Sequence, residues 1–168
     1  GILKRLRGTP IVRHDAAWEM VYSPHAPYEV LSTRPIDFPS MCRLRRFARY
    51  WDLLANSGRF VHSLPMLLSE GSSFERFLAL SDWLWTTTRQ THGIALVRSF
   101  ELLLRFVKEQ RPDDVVAFAE ALWRDYRRDG RTDRPSFLAG LELAEPPMEA
   151  RAATTGTERQ ARHRIAVS

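Results

Sequence analysis

From Met41 to Tyr126 apolar residues recur every three or four positions, and that period commits most of the chain to helices packed by one face. Met41, Leu44, Phe47, Ala48, Trp51, Leu54 and Ala55 share one face of a first helix. It is expected to start after Pro39 with Ser40 as N-cap and to stop before Gly58. A short apolar segment follows, Phe60 to Leu68, containing Pro65. Ser72 with Glu75 three residues later matches a capping box and opens a helix over 74–90. Phe74, Phe77, Leu78, Ser81, Leu84, Trp85 and Thr88 lie on one face of it, Leu80 and Trp83 on another, so contact on two sides is expected. Gly93 separates a fourth helix, 94–110, with Leu96, Val97, Phe100, Leu103, Leu104 and Val107 inward. Its outer face carries the pairs Glu101–Arg105 and Arg105–Glu109. Pro112 fits the first turn of a fifth helix running to Asp129, where Asp113 and Asp114 complement the helix dipole. Val115, Val116, Ala119, Leu122, Trp123 and Tyr126 form its inward face, and Gly130 ends it. Residues 131–138 read as a tethered loop. The expected fold class is mainly α, a bundle of about five helices preceded by a short extended or strand segment.

Pro24, Pro27, Pro35 and Pro39 exclude a long helix from residues 11–38. Val30 to Thr33 is a plausible short strand. Trp18, Met20, Val21, Tyr22, Tyr28 and Phe38 make this stretch too apolar for a flexible linker, so ordered extended chain is expected. Ile2 to Pro10 reads as a strand or helix end running into a turn at Gly8 and Pro10. A leading fragment this short has nothing of its own to pair with, so the chain is expected to begin inside a larger fold. From Pro146 the apolar period is lost, and 146–168 reads as a disordered tail. The expected division is therefore 1–38 connecting segment, 39–145 helical domain and 146–168 tail.

Lys+Arg 25 against Asp+Glu 20 gives a net charge of +5 and a pI near 10, which invites a nucleic-acid reading. The location of the charge weakens it. Residues 1–14 carry +4 and residues 146–168 carry +2, which leaves −1 of the total for 15–145. The single Cys42 supplies no intrachain disulfide and no cysteine-based metal cluster. No run of about 18 apolar residues exists, so no membrane span is expected, and the expected location is the cytoplasm.

Few residues suggest chemistry. His14 and Asp15 are adjacent, point apart and have no nucleophile nearby. His25, His62 and His92 lack metal-ligand spacing. Cys42 beside Arg43 and Arg45 is either a thiol of lowered pKa or a half-buried bystander. Arg45, Arg49, Asp52 and Asn56 fall on one polar stripe of the first helix. Two arginines four apart suit a bidentate clamp on a carboxylate or phosphate. The same stripe also suits a solvated face, or an interdomain ion-pair patch in which Asp52 orients Arg49. The stiff loop from Tyr22 to Tyr28 suits the lining of a cleft, or equally a strap to a preceding domain. The candidate substrate or interface residues are thus Tyr22, Tyr28, Arg45, Arg49, Asp52 and Asn56. No catalytic or metal-ligating residue is assigned.

Several motifs occur in a fixed order: Leu6-Arg7-Gly8-Thr9-Pro10-Ile11, Met20-Val21-Tyr22-Ser23-Pro24, Pro27-Tyr28-Glu29-Val30-Leu31 and Ile36-Asp37-Phe38. They continue with Arg45-Arg46-Phe47-Ala48-Arg49-Tyr50-Trp51-Asp52-Leu53, Asn56-Ser57-Gly58-Arg59-Phe60, and Asp125-Tyr126 … Gly130-Arg131 … Pro135-Ser136-Phe137-Leu138. Over residues 1–140 this resembles the C-terminal part of bacterial radical S-adenosylmethionine proteins that carry an N-terminal cobalamin-binding domain. The resemblance implies a helical accessory domain following a radical core, with the core and the cobalamin domain as partners in cis and 1–10 as the last strand of a partial barrel. It implies a [4Fe–4S] cluster, S-adenosylmethionine and cobalamin in the whole protein. The three-cysteine CxxxCxxC loop of that core is absent from this sequence, so no such cofactor is expected on this chain alone. Two other readings stay open. One is an autonomous nucleic-acid-binding module using Arg43–Arg49 and the terminal arms. The other is a helical dimerisation domain with Leu80 and Trp83 as its surface; the oligomeric state itself is not readable from the sequence.

Overall fold

Asp37 caps the first helix, three residues before the expected cap Ser40. Its carboxylate accepts from the Ser40 amide at 2.9 Å, and the helix, α1, runs Phe38–Leu54. Pro39 falls in the first turn, where no intrahelical partner is needed for its missing N–H, so it starts the helix instead of preceding it. The computed structural model describes residues 2–69, 71–128 and 130–145; the expected tail at 146–168 and Asp129 lie outside them.

Four more α-helices follow among the described residues: α2 Ser63–Leu68, α3 Ser73–Thr88, α4 Leu96–Gln110 and α5 Val115–Arg128. The mainly helical class is as expected. Ser72 caps α3 by accepting from the Glu75 amide at 3.3 Å. That helix stops at Thr88 instead of Gln90, because Arg89 adopts a left-handed φ of 55°. Its guanidinium lies over Trp85, 5.8 Å from the ring centroid. Pro112 opens a separate 3-10 turn, Pro112–Asp114, that feeds α5.

The helices pack α1 on α3, α2 on α3 and α5, and α4 on α3 and α5. Tyr50, Phe77, Phe100 and Phe118 are fully buried at the centre. Each side chain of this kind stabilises the fold by about 1.5–3 kcal/mol through burial. Phe100 stacks on Phe137 at 5.6 Å and meets Tyr126 edge-on at 5.6 Å, so the loop after α5 is drawn onto the core.

Several facial expectations need correction. Tyr50, absent from the expected stripe of α1, is wholly buried with its hydroxyl donating to the Gln90 carbonyl at 2.7 Å. This follows from α1 lying between the hairpin strand and α3, which buries more than one stripe. Phe74 and Val116, expected inward, are about half exposed. Leu80 is buried, and Trp83 packs on Phe106 and donates from Nε1 to Glu109 at 2.8 Å. The two-sided contact of α3 is present: Leu80 faces the core, and Trp83, half-buried, faces α4. On α4, Glu101 pairs with Arg98 at 2.9 Å and not with Arg105, which pairs with Glu109 at 2.7 Å.

Two short antiparallel strands precede the bundle, β1 Val21–Tyr22 and β2 Val30–Ser32, with Val21 opposite Ser32 and Tyr22 opposite Val30. The N-terminal segment does find a pairing partner, contrary to expectation. Lys4 bridges Glu29, the Val30 amide donates to the Leu3 carbonyl at 3.0 Å, and the Arg5 amide donates to Tyr28 at 2.9 Å. Val30 is buried where β2 meets α1, so the hairpin seats the N-terminal segment beside the helix.

Candidate functional site

Arg45, Arg46, Arg49 and Asp52 stand on the side of α1 that faces the N-terminal segment. With Lys4, Glu29 and Thr91 they line a cleft of about 370 Å³. The pairing at Lys4 and Glu29 supplies one wall, α1 another, and the connection between α3 and α4 brings Thr91. Four basic and two acidic side chains therefore share one small cleft.

The arginines are not equivalent. Arg45 donates from Nη2 to the Val30 carbonyl at 3.0 Å, and its Nε lies 3.4 Å from the Glu29 carboxylate. It ties α1 to the hairpin and is not free to form a clamp with Arg49. Arg46 lies over Trp85 at 5.2 Å, and its buried Nε has no hydrogen-bond partner among the described residues. Arg49 is exposed and makes no ion pair among the described residues. Asp52 does not orient it: the carboxylate accepts from Asn56 Nδ2 at 2.6 Å, one turn further on.

The six sequence candidates fall in three hollows. Arg45, Arg49 and Asp52 share the basic cleft. Asp52 also borders a more apolar hollow of about 600 Å³ with Asn56, Phe47, Trp51 and Phe74. Tyr22 and Tyr28 lie apart, in a hollow of about 850 Å³ between the N-terminal segment and the hairpin, beside Arg5, Arg7 and Asp15. The Tyr22 ring lies under the Arg5 guanidinium at 5.5 Å, and burial together with the Asp15 carboxylate pushes its phenol pKa up. Tyr28 holds a left-handed φ of 57°, which turns the loop so that its carbonyl meets Arg5. The six candidates leave out Thr91, and Arg46 and Lys4 figured only in the nucleic-acid reading of Arg43–Arg49 and the terminal arms. Arg46 stands one position round from the polar stripe, and only packing on Trp85 brings it to the cleft.

The other suggestive residues are occupied elsewhere. Asp15 pairs with Arg5 at 2.9 Å, while His14 accepts from Arg13. Cys42 is half-buried, and its neighbour Arg43 pairs with Asp82 at 2.8 Å. Among the described residues no three His, Cys, Asp or Glu side chains gather as metal ligands. Nor is any helix among them long and apolar enough to cross a membrane.

Asp125 carried no sequence signal for its role beyond its place in the late motif. It is buried on α5, and its carboxylate accepts from the His62 amide at 2.9 Å, the Ser63 amide at 2.9 Å and the Ser63 hydroxyl at 2.6 Å. It thus caps α2 from another helix, satisfying amides that a six-residue helix leaves open. Burial pushes its pKa up by more than the donors from Ser63 and His62 pull it down. The remainder of that motif is also structural. Tyr126 donates to Asp133 at 2.9 Å, Arg131 lies over the Tyr126 ring at 5.0 Å, and Leu138 is fully buried.

A family described as "Protein of unknown function (DUF4080)" matches residues 16–165. The match takes in the hairpin as well as all five helices, so the hairpin and bundle fall within one family unit. No curated protein and no solved structure matches the chain.

Proposed function

The chain belongs to the DUF4080 family, and on that footing we propose that it is the helical accessory domain of a cobalamin-type radical S-adenosylmethionine enzyme, docked on the radical core through residues 3–28. The observation that carries this reading is where apolar surface is left open. Leu3, Leu6, Val12, Trp18, Val21 and Tyr28 are each about half exposed and crowd the N-terminal segment and hairpin. Elsewhere only Phe38, Val61, Phe74 and Val116 among the described large apolar residues are comparably open. A concentrated apolar face beside a closed core is the mark of an interaction surface. The ordered motifs Leu6–Ile11, Met20–Pro24 and Pro27–Leu31, part of the resemblance to radical S-adenosylmethionine proteins, fall in this same segment.

In this reading the cluster, S-adenosylmethionine and cobalamin belong to the rest of the protein, in the cytoplasm. This chain's residues do not fit a [4Fe–4S] cluster, since Cys42 is its single thiol and stands half-buried on α1. Its contribution is to cover the core's edge and to present the basic cleft and the Tyr22–Tyr28 loop to substrate.

Two results test this. The reading frame upstream of Gly1 should encode a CxxxCxxC loop; a frame without one overturns the family assignment. In the whole protein, amides of residues 3–28 should exchange hydrogen more slowly than in this chain alone. Equal exchange would show that the apolar face is not where the core docks.

A further inference from the structure

We propose that the cleft between the N-terminal segment and α1 is a binding site for a phosphoryl group of a small molecule. Arg45 and Glu29 neutralise each other at 3.4 Å, which leaves Lys4, Arg46 and Arg49 facing Asp52. Whole, the cleft carries an excess of two positive charges, matching a phosphate dianion. The donors are prepared for a ligand. Arg46 is held over Trp85 at 5.2 Å, which fixes its guanidinium at the cleft, and its buried Nε has no hydrogen-bond partner among the described residues. Arg49, one turn along the same face, has no ion-pair partner among the described residues.

Tetrahedral geometry distinguishes phosphate from carboxylate here. Donors arrive from separate elements: Lys4 from the N-terminal segment and Arg46 and Arg49 from α1, with Thr91 of the α3–α4 connection on the rim. A phosphoryl group offers three oxygens to donors spread in this way, whereas a carboxylate offers two in one plane. A volume of about 370 Å³ admits a phosphorylated small molecule and not a folded polyanion.

The cleft is built wholly from residues of this chain, so its binding can be measured on this chain whether or not residues 3–28 dock a core. Its test is calorimetric titration of the chain with inorganic phosphate, pyrophosphate, glycerol phosphate, acetate and a single-stranded oligonucleotide. Phosphate-bearing small molecules should bind, with acetate weaker by about tenfold. Arg49→Gln, at an exposed position without an ion pair, should keep the thermal unfolding curve and weaken pyrophosphate about tenfold. Asp52→Asn should tighten it two- to threefold, roughly the effect of removing one like-signed partly screened charge. Binding indifferent to Arg49→Gln, weakened by Asp52→Asn, or strongest for the oligonucleotide with a steep salt dependence would overturn the proposal.

Discussion

Replacing Asp125 by Ala should be among the most damaging single changes to this fold. Its carboxylate accepts three hydrogen bonds, at 2.9, 2.9 and 2.6 Å, across the contact between α5 and the start of α2. Alanine leaves two amides and a hydroxyl without that acceptor, and Ser63 is fully buried and out of reach of water. Each stranded donor costs about 1–3 kcal/mol, while removing a buried carboxylate returns part of that. The net loss should be about 3–5 kcal/mol, or roughly 10 °C in Tm for a domain of this size. Urea unfolding followed by circular dichroism measures it directly. Ser63→Ala removes only the hydroxyl donor and should cost about 1–2 kcal/mol. The double variant should lose less than the sum of the two, because both act through one network. An Asp125→Ala loss below about 1 kcal/mol, or strict additivity with Ser63→Ala, would refute the trans-capping argument.

The same residue fixes the sign of a pH effect. Because burial raises the Asp125 pKa above its ordinary 3.8, the native state keeps a proton that the unfolded chain has released. The stability linked to this proton is fully present below the ordinary value and is lost as pH rises through the native pKa. Asp125→Asn should therefore flatten this part of the stability–pH profile; an unchanged slope would count against the raised pKa. Tyr50→Phe removes the hydroxyl bond to the Gln90 carbonyl at 2.7 Å and should cost about 1 kcal/mol by chemical denaturation. Ser72→Ala should cost about 1 kcal/mol through the lost α3 cap, with Ser72→Asp restoring most of it. Arg43→Ala, by contrast, should cost no more than about 1 kcal/mol despite its 2.8 Å bond to Asp82, because both partners are solvent-accessible.

The four longer helices were legible because burying one face imposes a period of three to four residues that the chain cannot hide, whereas the six-residue α2 showed only as an apolar segment. The Ser72 cap and the absence of a long helix before residue 38 followed from chemistry carried by adjacent residues. What remained hidden needed two distant segments to meet. Tyr50 is buried because the hairpin and α3 close on α1 from different sides, and no single-helix pattern records a second neighbour. Arg45 and Arg49 share a stripe, yet Glu29 and Val30 take Arg45 away, while Trp85 brings Arg46 in.

The chain by itself determined where helices form, because capping and amphipathic burial act over a few residues. Only the tertiary structure decided which charges neutralise each other and which remain available. Ion pairing depends on separations of a few ångströms between residues such as Glu29 and Arg45, which lie on different elements. It also gave the basic N-terminal segment its place: Lys4 and Arg5 are pinned to the hairpin, and Lys4 lines the cleft with α1.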